Sequence, residues 1–208
     1  MASWNPELSE EQTDSLKEVG NIGAGHAASE LAELIGRKCV VSIPELVCMD
    51  AAGIAQFVRS PDAIVVALHM NMLGDIPAEM LVLTRLAHAQ RMLDYMSPTS
   101  APNAQRNLEA FQLALRQLGE VLTRSFADAI SQFLGTSARY AFADAAGPGN
   151  PNGVTALLGS SSDEAGDSYL AVKADFFDVD KTFEGKLVYL LTAKAQKMIL
   201  ERIDELLG

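Results

Sequence analysis

The chain has 208 residues, of which 49% are hydrophobic, and this length fits one domain or two fused half-domains around a sizeable core. Asp and Glu outnumber Lys and Arg by 27 to 16, and the resulting net charge of −11 disfavours nucleic acid and anionic membranes as partners. No apolar run approaches the roughly 20 residues that span a bilayer, and MASWNPELSEEQ lacks the features of a signal peptide, so we expect a soluble cytoplasmic protein.

The first predicted element is a long helix that begins after Ser9, with Gln12 placed to complete a capping box. At 100° per residue, one face of this helix is apolar or small and is predicted to be buried. It comprises Leu16, Val19, Gly20, Gly23, Ala27, Leu31 and Leu34. On this face the two glycines are expected to pack the helix closely on a sheet.

The opposite face of the helix carries Asp14, Glu18, Asn21 and Gly25. An exposed glycine within a helix costs about 1 kcal/mol relative to alanine, and room for another macromolecule's backbone would explain Gly25. A nucleotide-binding glycine loop is disfavoured, because a helix start precedes the glycines where a strand is needed and the Walker lysine is missing.

Glu18 and Asn21 lie one turn apart, so their side chains project in parallel. An amide can both donate to and accept from a water molecule, and a carboxylate can pair with a cationic group on a docked partner. That equipment suits hydrolysis of a phosphoryl group whose metal and positive charges belong to the partner. A merely solvated helix face is the alternative, and spacing alone does not decide between them.

Short strands rich in β-branched and aliphatic residues follow the helix. They are CVVSIPELV, GIAQFV, AIVVALHM and EMLVLT in the first half, and ARYAFA, VTALL, SYLAVKADF and KLVYLLT in the second. Cys39 and Cys48 fall in the first of these segments without CxxC spacing, which favours buried free thiols over a disulfide or a metal site.

The second half of the chain repeats the first. LKEVGNIGAGHAASELAELIG aligns with LRQLGEVLTRSFADAISQFLG, and AHAQRML resembles AKAQKMI near the end of each copy. SPTSAPNAQ at 97–105 is the predicted joint, and GPGNPNG at 147–153 is a predicted surface loop. We therefore predict a single domain over 1–208 made of two repeats, about 9–98 and 106–208.

The stretch DSLKEVGNIGAG resembles the signature of the CheC, CheX and FliY family of chemotaxis phosphatases. That pattern is Asp or Ser, three residues, Glu, two residues, Asn, then 22 residues and Pro, which fits Asp14, Glu18, Asn21 and Pro44. Because the chain ends with the second copy, the resemblance is to CheC more than to FliY. It implies a pseudo-two-fold α+β fold, with a largely antiparallel sheet, two long helices and two shorter closing helices.

The resemblance also implies an activity, which is hydrolysis of the aspartyl phosphate of a phosphorylated CheY-like response regulator. Asn21 would position the attacking water, Glu18 would engage a lysine of the regulator, and Asp14 and Gly25 would lie on the docking face. Mg²⁺ would be held by the regulator, and this chain would bind no cofactor. The alternative is an adaptor, with little or no catalysis, that binds CheD or a chemosensory or flagellar switch partner. Fused copies make dimerisation unnecessary, so we expect a monomer.

The second copy departs from the family pattern. Its corresponding residues are Leu113, Gln117, Glu120 and Arg124, with Ala143 in place of the proline. On the helical wheel, Arg124 is expected to project from the middle of the would-be docking face. We therefore predict one working site on the first helix and a degenerate second site at Gln117 and Glu120.

Overall fold

The computed structural model describes residues 8–50, 65–96, 108–146, 168–191 and 193–207. Its helices are α1 (Glu10–Ile35), α2 (Leu86–Met96), α3 (Leu108–Leu134) and α4 (Ala193–Leu207). Its strands are β1 (Cys39–Val41), β2 (Glu45–Asp50), β3 (Val65–Gly74), β4 (Ala78–Arg85), β5 (Ala138–Ala146), β6 (Ser168–Asp178) and β7 (Glu184–Leu191). The predicted strands GIAQFV and VTALL, the 97–105 joint and the 147–153 loop lie outside the described residues.

Helix α1 begins at the predicted cap. The Ser9 hydroxyl accepts a hydrogen bond from the Gln12 amide at 3.1 Å, and the Gln12 side-chain oxygen accepts one from the Ser9 amide at 3.0 Å. This reciprocal pair satisfies backbone donors that the first turn cannot pair internally. The helix stops at Gly36, whose φ of 71° is a left-handed conformation that glycine adopts without steric cost. α3 ends in the same way at Gly135, with φ 63°.

The strands form one antiparallel sheet in the order β1-β6-β7-β4-β3-β5, with β2 also paired to β6. The order is pseudo-symmetric between the first half of the chain (β1 to β4) and the second half (β5 to β7). Strands β4 and β7 are central, and β3 and β6 flank them. At each edge of the sheet, β1 or β5 pairs with a strand of the other half. The predicted fold class, an antiparallel sheet with two long and two shorter helices, is confirmed. The boundaries of the two repeats stay a prediction.

The predicted strand CVVSIPELV is in fact broken in two. Pro44 has no N–H to donate, and the chain leaves the ladder between β1 and β2. Ser42 keeps a partial link to β6, because its amide donates to the Asp175 carbonyl at 2.8 Å and its hydroxyl accepts from the Asp175 amide at 2.9 Å. The prediction of one continuous strand was wrong at the proline.

The cysteine prediction is only half confirmed. Neither cysteine forms a disulfide within the described residues, as predicted, but Cys39 is buried and Cys48 is exposed. Burial raises the pKa of the Cys39 thiol to about 11. Cys48 lies near the end of β2, which pairs with β6 alone among the described strands, so less of the structure covers it.

All four helices and the sheet contribute to one apolar core, in which Tyr189 of β7 is fully enclosed. Tyr189 lines a small cavity together with residues of α1, α3 and α4, and its hydroxyl has no hydrogen-bond partner in the described part of the chain. A buried polar group without a partner costs about 1–3 kcal/mol. This hydroxyl is therefore a weak point of the core.

We expect Tyr189→Phe to raise the free energy of unfolding by about 1 kcal/mol, because it removes an unpaired buried hydroxyl and keeps the ring. Urea unfolding of the purified variant measures this. Tyr95→Phe is the matched control, since the Tyr95 hydroxyl is hydrogen-bonded to Thr182 at 3.0 Å and its removal should lower stability. A loss of stability in Tyr189→Phe would mean that the hydroxyl has a partner, such as a bound water.

Candidate functional site

The exposed face of α1 carries the four residues that the helical wheel placed there. Asp14, Glu18, Asn21 and Gly25 are all exposed, and the opposite stripe is buried except for the half-buried Leu34. On a helix, residues three apart have Cβ atoms about 5–6 Å apart, so Glu18 and Asn21 can act on one bound group. The structure therefore brings the predicted site residues together on one surface.

Glu18 and Asn21 are both available to a partner. Neither side chain is hydrogen-bonded or ion-paired to any residue in the described ranges. Asp14 forms an ion pair with Lys17 at 3.6 Å, but its side chain is 79% exposed, and such surface pairs contribute little stability. A docking partner could therefore engage this face without breaking a strong internal contact.

The space around Gly25 is open. A Cβ added there would meet nothing within 4 Å. The Gly25 carbonyl accepts a hydrogen bond from the Ser29 hydroxyl at 3.1 Å, and α1 continues unbroken through Gly25 to Ile35. Nothing inside the described chain requires a glycine here, which leaves clearance for an external partner as the physical reason we infer.

The sequence predicted that the two buried glycines of α1 pack on the sheet, and this prediction was wrong. A Cβ on Gly23 would lie 2.9 Å from the Phe126 ring of α3, and a Cβ on Gly20 would lie 3.2 Å from the Pro44 ring. The reason is that α1 packs side by side with α3 and beneath the loop that joins β1 to β2. The Pro44 ring thereby packs against α1 at Gly20, one residue before Asn21.

The second helix presents a different surface. Gln117 is exposed, Glu120 is half-buried and Leu113 is 57% exposed. The Arg116 guanidinium lies over the Phe142 ring, 4.6 Å from its centroid. On α3 the amide and the carboxylate thus stand in the reverse order, with the carboxylate partly covered, and the degeneracy of this second site stays a prediction.

The helical wheel predicted that Arg124 projects from the middle of the second face, and this prediction was wrong. Its Nη2 lies 2.7 Å from the Glu30 carboxylate of α1, and the Ser125 hydroxyl donates to the same carboxylate at 3.3 Å. The hydrogen bond and the charge of Glu30 raise the pKa of Arg124. The wheel missed this contact because it describes one helix and not its neighbour. The only sequence signal was that Glu30 falls near the edge of the buried stripe of α1.

In the described ranges, no group of three His, Cys, Asp or Glu side chains could hold a metal ion. None of the helices that the structure describes is long and apolar enough to cross a membrane.

Sequence comparison connects this chain to chemotaxis proteins. A model of the CheC-like family matches residues 11–47, the span that contains the exposed face of α1 and Pro44. The CheY-P phosphatase CheC of Bacillus subtilis (strain 168) is 29% identical over 126 residues, which are 60% of this chain and 60% of that protein. The match therefore spans less than two thirds of the relative's length.

Two solved structures show the same fold over nearly the whole chain. The crystal structure of Thermotoga maritima FliY matches with a TM-score of 0.74 at 16% identity, covering 96% of this chain and 99% of that one. The FliM middle domain of Vibrio alginolyticus matches with a TM-score of 0.65 at 10% identity, covering 90% and 99%. At these identities the likeness establishes the fold and leaves the chemistry to the residues of the site.

Proposed function

We propose that this chain, a member of the CheC, CheX and FliY family as its sequence predicted, hydrolyses the aspartyl phosphate of a CheY-like response regulator. The observation that carries the proposal is the exposed face of α1, where Glu18 and Asn21 stand without described partners beside the open space at Gly25. The Bacillus subtilis relative, the CheY-P phosphatase CheC, supports the same substrate.

The chemistry requires little of this chain beyond orientation. The Asn21 amide would accept a hydrogen bond from a water and donate one in return, which holds the water oxygen toward the phosphorus. The water oxygen bonds to phosphorus as the bond to the regulator's aspartate breaks, so orthophosphate leaves and the aspartate carboxylate is restored. The regulator's own Mg²⁺ would offset the negative charge. Glu18 would pair with a lysine of the regulator and set the angle of approach.

The direct test is the decay of a phosphorylated CheY-type receiver in the presence of Mg²⁺, with and without this chain. We expect decay to accelerate when the chain is present at well below the receiver's concentration, because the chain is not consumed. An unchanged decay rate at saturating concentrations would contradict the proposal.

The alternative function is an adaptor that binds CheD or a flagellar switch partner and has little or no catalysis. The departure of α3 from the family pattern, with Gln117 and Glu120 in place of Glu and Asn, favours it. A pull-down with purified CheD tests this function independently of the decay assay. Binding to CheD without any acceleration of receiver decay would favour the adaptor.

Gly25→Ala separates stability from docking. We expect the free energy of unfolding to rise by about 1 kcal/mol, because alanine is the better helix former and its methyl group meets nothing within 4 Å. We expect kcat/KM for the phosphorylated receiver to fall, because the methyl group occupies space reserved for the partner's backbone. Gly25→Arg, which copies Arg124, should lower kcat/KM further. A stabilised Gly25→Ala with unchanged kcat/KM would show that Gly25 provides no clearance.

A further inference from the structure

Ile43, in the loop between β1 and β2, is 77% exposed, more than any other large hydrophobic residue in the described ranges. The loop is not loose at this point. Ser42 is hydrogen-bonded to Asp175 through both its amide and its hydroxyl, and Pro44 is buried against Gly20. Ile43 is therefore exposed to solvent between two residues that are held in place. Exposure of its apolar side chain costs free energy, which burial against a partner would recover.

The loop between β1 and β2 borders the candidate site. Going round α1, Gly20 is followed by Asn21, then by Gly25 and Glu18, and last by Ile22. Because Pro44 contacts Gly20, the loop lies on the Asn21 side of the polar face. Ile22, which is 37% exposed, lies on the Glu18 side. The loop that carries Ile43 thus borders the polar face of α1 on one side, and Ile22 borders it on the other. We call these two exposed residues the isoleucine flank (Ile22 and Ile43).

The second half of the molecule shows the same position covered. At the spacing that pairs Pro44 with Ala143, the counterpart of Ile43 is Phe142. Phe142 is half-buried, and the Arg116 guanidinium lies over its ring at 4.6 Å from the centroid. The counterpart of Arg116 is Lys17, which instead pairs with Asp14 at 3.6 Å. The apolar position is therefore covered beside the degenerate face and left uncovered beside the intact one.

We propose that the isoleucine flank is the docking contact for the receiver domain, with Ile43 packing against an apolar side chain next to the receiver's phosphorylated aspartate. This inference rests on the proposed function, since it names the surface by which that substrate is held. The apolar contacts supply affinity and exclude water at the rim, while Glu18 and Asn21 meet the charged centre. The receiver is the occupant that fits, because the flank is continuous with the two side chains proposed to face its phosphoryl group.

Ile43→Ser tests the proposal in the receiver decay assay. We expect KM for the phosphorylated receiver to rise about tenfold with kcat nearly unchanged, because docking is lost and the water-positioning amide is not touched. Ile22→Ala should raise KM less, since its side chain is less exposed. Leu73→Ser is the matched control, because Leu73 is 51% exposed on β3, and we expect its KM to equal that of the wild type. An unchanged KM in Ile43→Ser, or a lower kcat at unchanged KM, would overturn the proposal.

A binding measurement keeps this proposal separate from the catalytic one. The receiver loaded with beryllofluoride, a stable mimic of the aspartyl phosphate, is titrated against the wild type and Ile43→Ser. If the wild type does not accelerate decay, the proposed catalysis fails, yet about tenfold weaker binding by Ile43→Ser would still support the docking surface. Equal binding by the two proteins, or no binding by the wild type, would overturn it.

Discussion

Replacing Asn21 by alanine is expected to slow the assisted hydrolysis of the receiver's aspartyl phosphate by about 10²-fold or more. Among Asp14, Glu18, Asn21 and Gly25, only Asn21 has a side chain that can both donate to and accept from a water. Misplacement of a reacting group by about 1 Å already costs on the order of 10²-fold. The loss should fall on kcat, because the water is positioned in the transition state and receiver docking is carried by neighbouring side chains.

Two further measurements show whether a loss of activity in Asn21→Ala reflects chemistry. Asn21 is exposed and makes no contact with a described partner, and alanine is the better helix former, so its replacement should leave the urea unfolding midpoint unchanged or slightly higher. Binding to the beryllofluoride-loaded receiver should stay within about twofold of the wild type, well under the tenfold that 1.4 kcal/mol would produce. A variant that hydrolyses at the wild-type rate would contradict the catalytic role of Asn21.

The second large effect concerns a buried carboxylate that ties α1 to the sheet. Asp178, at the end of β6, has a fully buried side chain. It accepts hydrogen bonds from the Thr182 amide at 2.6 Å, the Thr182 hydroxyl at 2.8 Å and the Phe183 amide at 3.2 Å. Arg37, just after the end of α1, donates to it at 3.2 Å and also pairs with Asp180. The Arg37 guanidinium in turn lies 4.6 Å from the centroid of the Tyr95 ring of α2.

We expect Asp178→Ala to lower the free energy of unfolding by about 3–5 kcal/mol, because it leaves the Thr182 and Phe183 amides and the Thr182 hydroxyl without their acceptor. It also removes one of the two carboxylates that pair with Arg37. Thermal and urea unfolding measure the loss. Asp175→Ala on the same strand is the matched control. Its carboxylate pairs with Lys186 at 2.8 Å but is 56% exposed, so its removal should cost under about 1 kcal/mol. Equal losses in the two variants would contradict the role assigned to Asp178.

The lowered pKa of Asp178 also makes the free energy of unfolding depend on pH. Burial opposes its ionisation, but the hydrogen bonds from Thr182, Phe183 and Arg37 outweigh it and hold the pKa of Asp178 below its usual range. Its contribution is therefore complete above the unfolded carboxyl pKa of about 3.9, and it is lost as the pH falls through the lower folded value. Asp178→Asn should flatten the fall of stability in this acidic range, which unfolding at a series of pH values would show.

The local features of α1 were predictable from sequence because they depend on residues close together in the chain. The Ser9 cap, the buried stripe and the exposed positions of Glu18 and Asn21 all follow from helical periodicity. The family resemblance also singled out Pro44, but its physical role, to contact Gly20 beside the site, needed the folded loop. Periodicity gives the direction of each side chain and not the identity of its neighbour.

The features that sequence did not predict arise from contacts between elements far apart in the chain. Arg124 turns to Glu30 because α1 and α3 lie side by side, which no single-helix wheel contains. The same packing places Phe126 of α3 where a sheet was expected beneath Gly23. Each edge strand pairs with the other half of the chain, so the sheet could not be assembled by treating the repeats as independent units.

We propose that α1 carries a working site and that α3 does not. The sharpest comparison is between Asn21→Ala and Gln117→Ala in one receiver decay assay at equal protein concentration. We expect Asn21→Ala to lose nearly all acceleration and Gln117→Ala to keep the wild-type rate. Wild-type decay with Asn21→Ala, or an equal loss in both variants, would contradict it.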